Sequence, residues 1–513
     1  MDWWMRSRRI GRWCASALVV AMLAACGGGG SGGSSSGGSS SGGSSSGGGG
    51  GSSDAAARPS DGPPKAYVLD SLVLPASAAK SAAALPAALR PAAATLVLPA
   101  WSEAKQAPLA APGTPLQIGA PRALAATQTA GGLAQMLNWT QASDGGLVAA
   151  ISITSTGAYG VRLGLLVASL PDAARISLYR QDSSKTGYQT TGRAINAALA
   201  RNRAVDGDTQ AAGTWWSPDL GADEVTLEIG LPAGVPASQL QIAIPTLAHA
   251  YVNLALPMEA DLQAGSVTKS VGAAGSCEQD ASCADQYATE RNAVARMTYM
   301  GSDSRYYYCT GTLLNNTRLD YAPYFLSANH CVSTQASATS LRTDWFFRSA
   351  SCNSTTPNPQ TAARLQGATL LYATSTTDSS LMLLNETPPA GVTLAGWDAR
   401  GTAAPGSAVY ALHQPQGDYL KYSEGQIQRY DDCSLGGGGI SCASGNAQSD
   451  FLSVVWSRGT TEGGSSGSAI FIGGRVVGTL SGGSSSCTVA GGSDDYSRFD
   501  HAFGNKLKDW LAQ

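Results

Sequence analysis

The spacing of hydrophobic and polar residues divides this chain into stretches of different character. From about residue 116, apolar residues alternate with polar or small ones in short runs, for example at 151–153, 161–163 and 225–229, and turn residues separate the runs. A period of two is typical of strands that bury one face. Short strands at this spacing predict an all-β unit, a β-sandwich, over residues 116–256.

A second series of short strands with Gly-rich turns begins near Cys277, and we expect it to form a separate domain over residues 277–513. The last run, 505–511, has the spacing of a helix that caps this domain. Residues 257–276 form a connector of small residues that contains Lys269. A length of 513 residues agrees with two or more folded units.

The amino-terminal part lacks this patterning. Arginines precede a short apolar run at 14–25, which is typical of a signal peptide and too short to span a bilayer permanently. The run ends in Leu-Ala-Ala-Cys and resembles a bacterial lipobox, so residues 1–26 are predicted to be a lipoprotein signal peptide with Cys26 as the lipidated residue. Gly27 after it favours the outer membrane. Ordinary cleavage, with Cys26 incidental, is the alternative.

Two regions of biased composition follow the predicted signal peptide. Residues 27–53 are entirely Gly and Ser, so they are expected to form a coil spanning roughly 30 Å. Residues 54–115 are rich in Ala and Pro, and apolar runs such as 96–98 predict only local order there. A coil beside a lipid anchor would act as a tether.

Composition narrows the range of functions. A net charge of -3 with 13% charged residues gives no electrostatic reason to expect nucleic acid as a partner. Eight of the ten cysteines lie between Cys277 and Cys487, which favours disulfides in an oxidising compartment. With four histidines and no cysteine pair at zinc-ligand spacing, no metal site is predicted.

Three polar residues at strand edges are candidates for catalysis. His330 follows the apolar run 324–328, Asp378 precedes the run 381–384, and Ser466 lies in a Gly/Ser loop before 469–472. Each alone is a weak signal. Together they stand in the chain order His, Asp, Ser, which is that of chymotrypsin-like proteases.

The chemistry of acyl transfer explains why these residue types are needed. A serine hydroxyl becomes nucleophilic when an imidazole takes its proton, and a carboxylate orients that imidazole. Backbone N–H groups must face the developing oxyanion, and we expect Gly464 and Ser466 to supply them. The surrounding glycines allow the tight backbone shape that such a loop requires.

Several longer stretches identify a family. CTGTLLNNT, FLSANHC, TDSSLMLL, LAGWDAR, YALHQPQGD, EGGSSGSAIF and LSGGSSSC resemble the bacterial lysyl endopeptidases. The resemblance implies a trypsin-like double β-barrel from Cys277 onward, with His330, Asp378 and Ser466 as its triad. The sandwich before it is similar to the N-terminal pro-regions of such enzymes. His413 falls in a family motif and is interpreted as structural.

The resemblance also implies a specificity pocket. Asp494 matches the family's pocket aspartate, and one carboxylate in an apolar pocket favours a long cationic side chain. The adjacent Asp495 is the alternative. Ser481, Gly482 and Gly483 stand where the known enzymes have His-Gly-Gly, which leaves the strictness of Lys over Arg open.

Disulfide pairs carry over from the family in the same way. The resemblance implies Cys277–Cys487, Cys283–Cys352 and Cys309–Cys331, and the remaining pair, Cys433–Cys442, is expected to bond together.

The sequence therefore predicts a secreted or surface-tethered serine endopeptidase that cleaves proteins or peptides after basic residues, preferentially Lys. We expect a monomer that needs no cofactor and cuts its own connector after Lys269, which would release the C-terminal domain. Because Ser465 rather than Asp precedes the nucleophile, a freed amino terminus has no carboxylate to pair with there. The alternatives are a serine protease of different specificity and an inactive surface-binding lipoprotein; the complete triad argues against the latter.

Overall fold

The computed structural model describes residues 67–75, 91–101, 114–182, 187–253, 272–436, 439–489 and 491–513. All of them belong to one unit, Pro63–Gln513. The predicted lipidation residue, Cys26, and the predicted cleavage residue, Lys269, lie outside the described residues. None of the described helices is long and apolar enough to cross a membrane.

In the amino-terminal part of the described chain, residues 67–253, strands outnumber helices. Its strands are β1 Val68–Leu69, β2 Leu72–Val73, β3 Ala93–Leu98, β4 Leu116–Ala123, β5 Thr140–Gln141, β6 Leu147–Ser155, β7 Gly160–Ser169, β8 Arg175–Tyr179, β9 Tyr188–Thr191, β10 Thr214–Trp216, β11 Glu224–Leu231 and β12 Gln241–Ala250. Its helices are α1 Ala130–Met136 and α2 Gly192–Asp206.

The N-terminal domain, which comprises β3 to β12 with α1 and α2, is a sandwich of two sheets. One sheet has the strand order β3-β6-β11-β8-β9, and the other contains β10-β7-β12-β4. Inward residues of both sheets, such as Ile151, Leu163, Leu227 and Leu247, form one core. The alternation in the sequence reflects this arrangement, because each strand turns every second side chain toward the facing sheet.

One expectation about this domain is corrected by the structure. The sequence pattern predicts only local order at 96–98, but this run belongs to β3, which pairs in parallel with β6 from Ala93 to Leu98. Its partner lies more than fifty residues further along the chain, and a parallel edge strand has no turn signal that would reveal its pairing.

The C-terminal domain is described from residue 272 onward. Its strands are β13 Gln279–Asp280, β14 Val294–Met300, β15 Tyr306–Leu314, β16 Tyr324–Ala328, β17 Arg342–Trp345, β18 Ala362–Arg364, β19 Ala368–Thr374, β20 Ser379–Leu384, β21 Thr393–Leu394, β22 Gly396–Asp398, β23 Ala408–His413, β24 Lys421–Gly436, β25 Gly439–Ser444, β26 Phe451–Arg458, β27 Ala469–Ile472, β28 Arg475–Gly483 and β29 Ser493–Arg498. Its helices are α3 Gln335–Thr339, α4 Phe499–Ala502 and α5 Lys508–Leu511, with a π-helical turn at Phe503–Leu507 between the last two.

Two barrels make up the C-terminal domain, as the resemblance implies. Strands β28-β27-β23-β24-β26-β29 close on themselves through the pairing of β29 with β28. The other barrel is open and is built from β14 to β20. Each barrel has its own core, around Phe325 and Trp345 in the open barrel and around Ile427 and Val454 in the closed one. This is the trypsin-like double β-barrel.

The two domains share a sheet. β4 of the N-terminal domain pairs with the first residues of β15, so that Gly119 lies opposite Tyr306 and Leu116 opposite Tyr308. Arg162 crosses the same boundary, because its Nη2 donates to Ser340 O at 2.8 Å. The N-terminal domain is therefore attached by backbone pairing as well as by side chains.

A segment that precedes the N-terminal domain also lies on the C-terminal domain. Residues Tyr67–Pro75, here called the strap, contain β1 and β2. β1 pairs antiparallel with β22 and β2 with β21. The strap thus binds to the side of the C-terminal domain before the chain enters the sandwich.

Candidate active site

His330 and Asp378 meet because their strands are neighbours. β16 pairs with β20, so that Ala328 lies opposite Ser379 at the strand ends. His330 Nδ1 lies 2.7 Å from Asp378 Oδ2, and the His330 backbone N–H donates to Oδ1 at 2.9 Å. Because a carboxylate accepts but does not donate, Nδ1 carries the proton and Nε2 is left as the proton acceptor.

Asp378 is held in a constrained conformation. Its φ is 40°, in the left-handed region that Asp tolerates better than most residues. Its carbonyl accepts from Asn329 N–H at 3.0 Å, and the side chain is fully buried. Backbone and side chain therefore bind the same turn, which fixes the orientation of the imidazole.

Ser466 lies on the loop that leads into β27. Thr310 N–H donates to Ser466 O at 2.9 Å, and the neighbouring Cys309 is bonded to Cys331, next to His330. Gly467 follows with φ 80°, where a Cβ would collide with Ser327 Oγ. The loop can pack this closely against the end of β16, the strand that leads to His330, only with glycine there. His330 Nε2 is buried and has no hydrogen-bond partner within the described part of the chain.

The peptide groups before Ser466 are held by their carbonyls. Gly463 O accepts from Gln416 N–H at 2.7 Å, and Gly464 O accepts from Thr310 Oγ1 at 2.8 Å. A peptide's N–H points opposite to its carbonyl, so the first bond fixes the direction of the Gly464 N–H. Gly464 has φ 95°, a conformation that favours glycine.

A buried histidine supports this loop from behind. Glu462 N–H donates to Ser465 Oγ at 3.2 Å, and Ser465 Oγ lies 2.8 Å from His413 Nδ1. His413 Nε2 lies 3.0 Å from Ser423 Oγ, which donates to Thr460 O at 2.6 Å. Because Ser423 uses its proton on Thr460, His413 must donate from Nε2 and accept at Nδ1. Burial lowers the pKa of His413 to about 3, so it remains neutral.

Asp494 is buried and surrounded by donors. Its Oδ2 accepts from Trp456 Nε1 at 2.6 Å, from Thr461 Oγ1 at 2.7 Å and from Ser485 Oγ. Burial raises the pKa of Asp494, and the hydrogen bonds oppose that rise. On β28, Gly483 lies opposite Asp494. The sequence does not single out the three donors, because only the fold brings them to the Asp494 carboxylate: Trp456, Thr461 and Ser485.

Asp495 points to a different environment. It lies beside Asp431, whose carboxylate accepts two bonds from the Arg429 guanidinium. Burial and then Asp431 raise the pKa of Asp495. Of the predicted cleft residues, Gly482 lies opposite Asp495, and Ser481 is buried with no partner for Oγ within the described residues.

The first described residues of the C-terminal domain approach the same region. Gly275 N–H donates to both carboxylate oxygens of Glu462, at 3.2 and 3.1 Å. Glu278 is buried, its carboxylate lies 3.8 Å from His413 Nε2, and neither of its oxygens has a hydrogen-bond partner among the residues described. Burial, followed by the negative charge of Glu462, raises the pKa of Glu278 well above its usual value. No motif or spacing in the sequence points to this carboxylate.

Four disulfides connect the C-terminal domain. They join the pairs that the resemblance implies and the remaining pair: Cys277–Cys487, Cys283–Cys352, Cys309–Cys331 and Cys433–Cys442. Cys309–Cys331 links the strand beside Ser466 to the turn that carries His330. Cys277–Cys487 links the start of the domain to the loop that contains Ser485.

Comparisons with known proteins match both domains to the same family. Residues 88–251 match the family profile described as lysyl endopeptidase N-terminal domain, and residues 271–497 match the one described as lysyl endopeptidase, C-terminal domain. A lysyl endopeptidase of Pseudomonas aeruginosa is 32% identical over 385 residues, which cover 72% of this chain and 75% of that protein.

Solved structures of proteases are also similar to part of the chain. The MamO protease domain from Magnetospirillum magneticum is 15% identical with a TM-score of 0.29, covering 43% of this chain and 98% of that one. A protease from M. tuberculosis in its active form is 15% identical with a TM-score of 0.31, covering 46% of this chain and 89% of that one.

Proposed function

This chain belongs to the lysyl endopeptidase family of serine endopeptidases, and we propose that it cleaves proteins or peptides after basic residues, preferentially Lys, with His330, Asp378 and Ser466 as its catalytic triad. Ser466 Oγ attacks the scissile carbonyl while His330 Nε2 takes its proton and later returns it to the leaving amine. Asp378 keeps the proton on Nδ1 and stabilises the imidazolium. Water then hydrolyses the acyl-enzyme by the same steps.

The Gly464 and Ser466 amides are proposed to bind the oxyanion. The support is the bond from Gln416 to Gly463 O, which directs the Gly464 N–H, together with the absence of an acceptor for either amide among the described residues. Donors that are held in place before reaction lower the barrier, because they need no reorganisation in the transition state.

Preference for Lys rests on one observation, the buried carboxylate of Asp494 with its three side-chain donors. A substrate ammonium would supply the positive charge that this carboxylate lacks, whereas a neutral side chain would leave it buried without a cation. Ser481, Gly482 and Gly483 form the neighbouring strand. A serine and two glycines add little bulk there, which favours a long substrate side chain. The relative rates of cleavage after Lys and after Arg test how strictly Lys is preferred.

A panel of chromogenic peptides ending in Lys, Arg, Ala and Phe tests the specificity. We expect hydrolysis after Lys, loss of turnover in Ser466→Ala, and a loss of at least about a hundredfold in kcat/KM for Lys in Asp494→Asn. Asp495→Asn is the matched control and should keep the Lys preference. Retained Lys cleavage in Asp494→Asn, or a preference for Ala or Phe, would refute the pocket assignment.

We further propose that the protein is exported, anchored through a lipid on Cys26, and processed by its own activity after Lys269. The support is sequence alone: the lipobox-like LAAC, the Gly/Ser tract, and a Lys in a connector of small residues. The processed C-terminal fragment should begin at Ser270, and Edman sequencing would identify it. Appearance of that fragment in Ser466→Ala expressed alone would exclude self-processing. Cys26→Ser should move the chain from the membrane to the soluble fraction.

A further inference from the structure

The strap, Tyr67–Pro75, precedes the N-terminal domain in the chain but is bound to the C-terminal domain. We propose that the strap is a built-in docking peptide that keeps the C-terminal domain attached to the amino-terminal part of the chain after the connector at 257–276 has been cut. The consequence for the cut chain rests on the proposed processing, whereas the docking itself does not.

Main-chain pairing runs from one end of the strap to the other. Besides β1 with β22 and β2 with β21, Leu74 N–H donates to Val392 O at 2.8 Å and Ala399 N–H donates to Tyr67 O at 2.6 Å. An extended segment that adds a strand to an exposed edge gains affinity from such bonds. The strap therefore binds in the manner of a peptide ligand.

Side chains fix the register of the strap. Leu74 is 2% exposed and belongs to the core of the open barrel, against which Leu72 also packs. Leu69 packs against the core between the barrels. Val73, between two of the inward residues, is 55% exposed. Because neighbouring residues of an extended segment face opposite ways, one shift in register would exchange Leu74 for Val73.

The groove that receives the strap is shaped for it. At Gly396 a Cβ would collide with Leu69 O and with the backbone of Asp70. Gly396 N–H donates to Ser71 Oγ at 3.0 Å, and Asn315 Nδ2 donates to Asp70 O at 2.9 Å. Arg475 pairs with the Asp70 carboxylate at 2.6 Å. The absence of a side chain at 396 is thus matched to an occupant that approaches this closely.

Chain order gives the docking its consequence. The N-terminal domain lies between the strap and residue 272, and both ends of this stretch lie on the C-terminal domain. A cut in the connector removes one covalent link, while the strap and the β4–β15 pairing still hold the two parts together. Processing would then change the covalent structure without releasing the C-terminal domain from an anchor upstream of the strap.

A full-length Ser466→Ala chain allows docking to be measured without self-processing. An affinity tag is placed in the Gly/Ser tract at 27–53, and a recognition sequence for an added site-specific protease is inserted between residues 79 and 89. After that cut, only the strap joins the tag to the remainder. We expect the tagged fragment to stay bound to the rest of the chain, which is the N-terminal and C-terminal domains. Leu74→Asp should lower the affinity between the two pieces at least about a hundredfold, because the substitution places a carboxylate in an apolar core. Val73→Asp, which changes the exposed neighbour of Leu74, should leave this affinity unchanged.

A second variant changes the C-terminal domain instead of the strap. It tests the docking even if Leu74→Asp fails to fold. Gly396→Ala lies outside the proposed catalytic residues and should release the tagged fragment, because its methyl group would collide with Leu69 O. The proposal would be overturned if the tagged fragment with the unaltered strap dissociated from the rest of the chain after the cut. Equal binding by Leu74→Asp, Gly396→Ala and Val73→Asp would also overturn it. If the active chain yields no fragment beginning at Ser270, the processing proposal fails while this assay still reports docking.

Discussion

At the scale of single residues, the candidate site depends on side chains whose partners determine their protonation. His330 donates from Nδ1 because its partner is a carboxylate. His413 accepts at Nδ1 because its Nε2 partner, Ser423, donates elsewhere. The two histidines therefore have opposite tautomers. His330 Nε2 has no hydrogen-bond partner among the described residues, whereas both ring nitrogens of His413 are hydrogen-bonded.

We predict that His413→Phe lowers kcat about 10–100-fold with little change in KM. The substitution removes the acceptor for Ser465 Oγ, so the Gly464 and Ser466 amides, which are the proposed oxyanion donors, lose part of their fixed direction. Loss of one complete oxyanion donor typically costs about 10²–10³ in rate. Steady-state kinetics on a Lys peptide measure this. Ser465→Ala should reproduce it in milder form.

His501→Gln is the matched control for His413. His501 lies in the same domain, bonds to Asp450 at 2.8 Å and is partly exposed. It should keep the wild-type kcat. An unchanged kcat in His413→Phe, or an equal loss in His501→Gln, would contradict a positioning role for His413.

Asp495 gives a prediction for the dependence of stability on pH. Its pKa is raised in the folded state, so between the ordinary carboxyl pKa of about 4 and the raised value the folded protein binds more protons than the unfolded one. Stability contributed by this group is therefore present at low pH and lost as the pH rises through that window.

We expect Asp495→Asn to raise the Tm above that of the wild type, by an amount that grows as the pH increases from about 4 to 8. The rise should be about 2–4 °C for each kcal/mol gained in the free energy of unfolding. Differential scanning calorimetry at several pH values in the Ser466→Ala background measures the effect. A difference in Tm that does not grow with pH would show that Asp495 is ionised in the folded protein.

At the scale of elements, short-range patterns were informative and long-range pairings were not. The strands that carry His330, Asp378 and Ser466 could be predicted because apolar runs and turn residues are local signals. β3 and the strap could not be predicted, since each binds a partner far away in the chain and buries few side chains of its own. Trp456, Thr461 and Ser485 come from three separate segments, and only the fold brings them to Asp494.

Two disulfides should differ in what their loss costs. The Cys433–Cys442 bridge closes 9 residues within the β24–β25 hairpin, whereas Cys277–Cys487 spans 210. A disulfide reduces the conformational entropy of the unfolded chain. On that basis the bridge stabilises the folded protein by about 3 kcal/mol for the short loop and by about 5 kcal/mol for the long one.

We predict that replacing both cysteines of the long bridge with Ser lowers the Tm more than the same change in the short bridge. It should also lower kcat/KM for Lys peptides, because Cys487 follows the loop whose Ser485 donates to Asp494. Calorimetry and peptide kinetics on the two double variants make the comparison. Equal kcat/KM values in both would exclude a link between the long bridge and the proposed specificity pocket at Asp494.

At the scale of the whole molecule, the N-terminal domain is joined to the C-terminal domain beside the proposed catalytic histidine. Asp206, the last residue of α2, accepts from Gln335 N–H at 2.9 Å and from Ala336 N–H at 2.8 Å. These are the first two amides of α3, which begins shortly after His330. Helix N-termini leave such amides without intrahelical acceptors, and a carboxylate there is stabilising.

Asp206→Ala should therefore weaken the contact between the domains by about 1–2 kcal/mol, the usual cost of losing a helix-capping side chain. Thermal unfolding of the full-length Ser466→Ala chain, followed by calorimetry, would show this as a lower Tm. Asp208→Ala is the matched control, because Asp208 lies two residues further on with a 93% exposed side chain. Its Tm should equal that of the parent. If the two variants unfold at the same temperature, Asp206 does not stabilise the boundary, and the N-terminal domain is then held by other contacts, among them the β4–β15 pairing and the Arg162 hydrogen bond to Ser340.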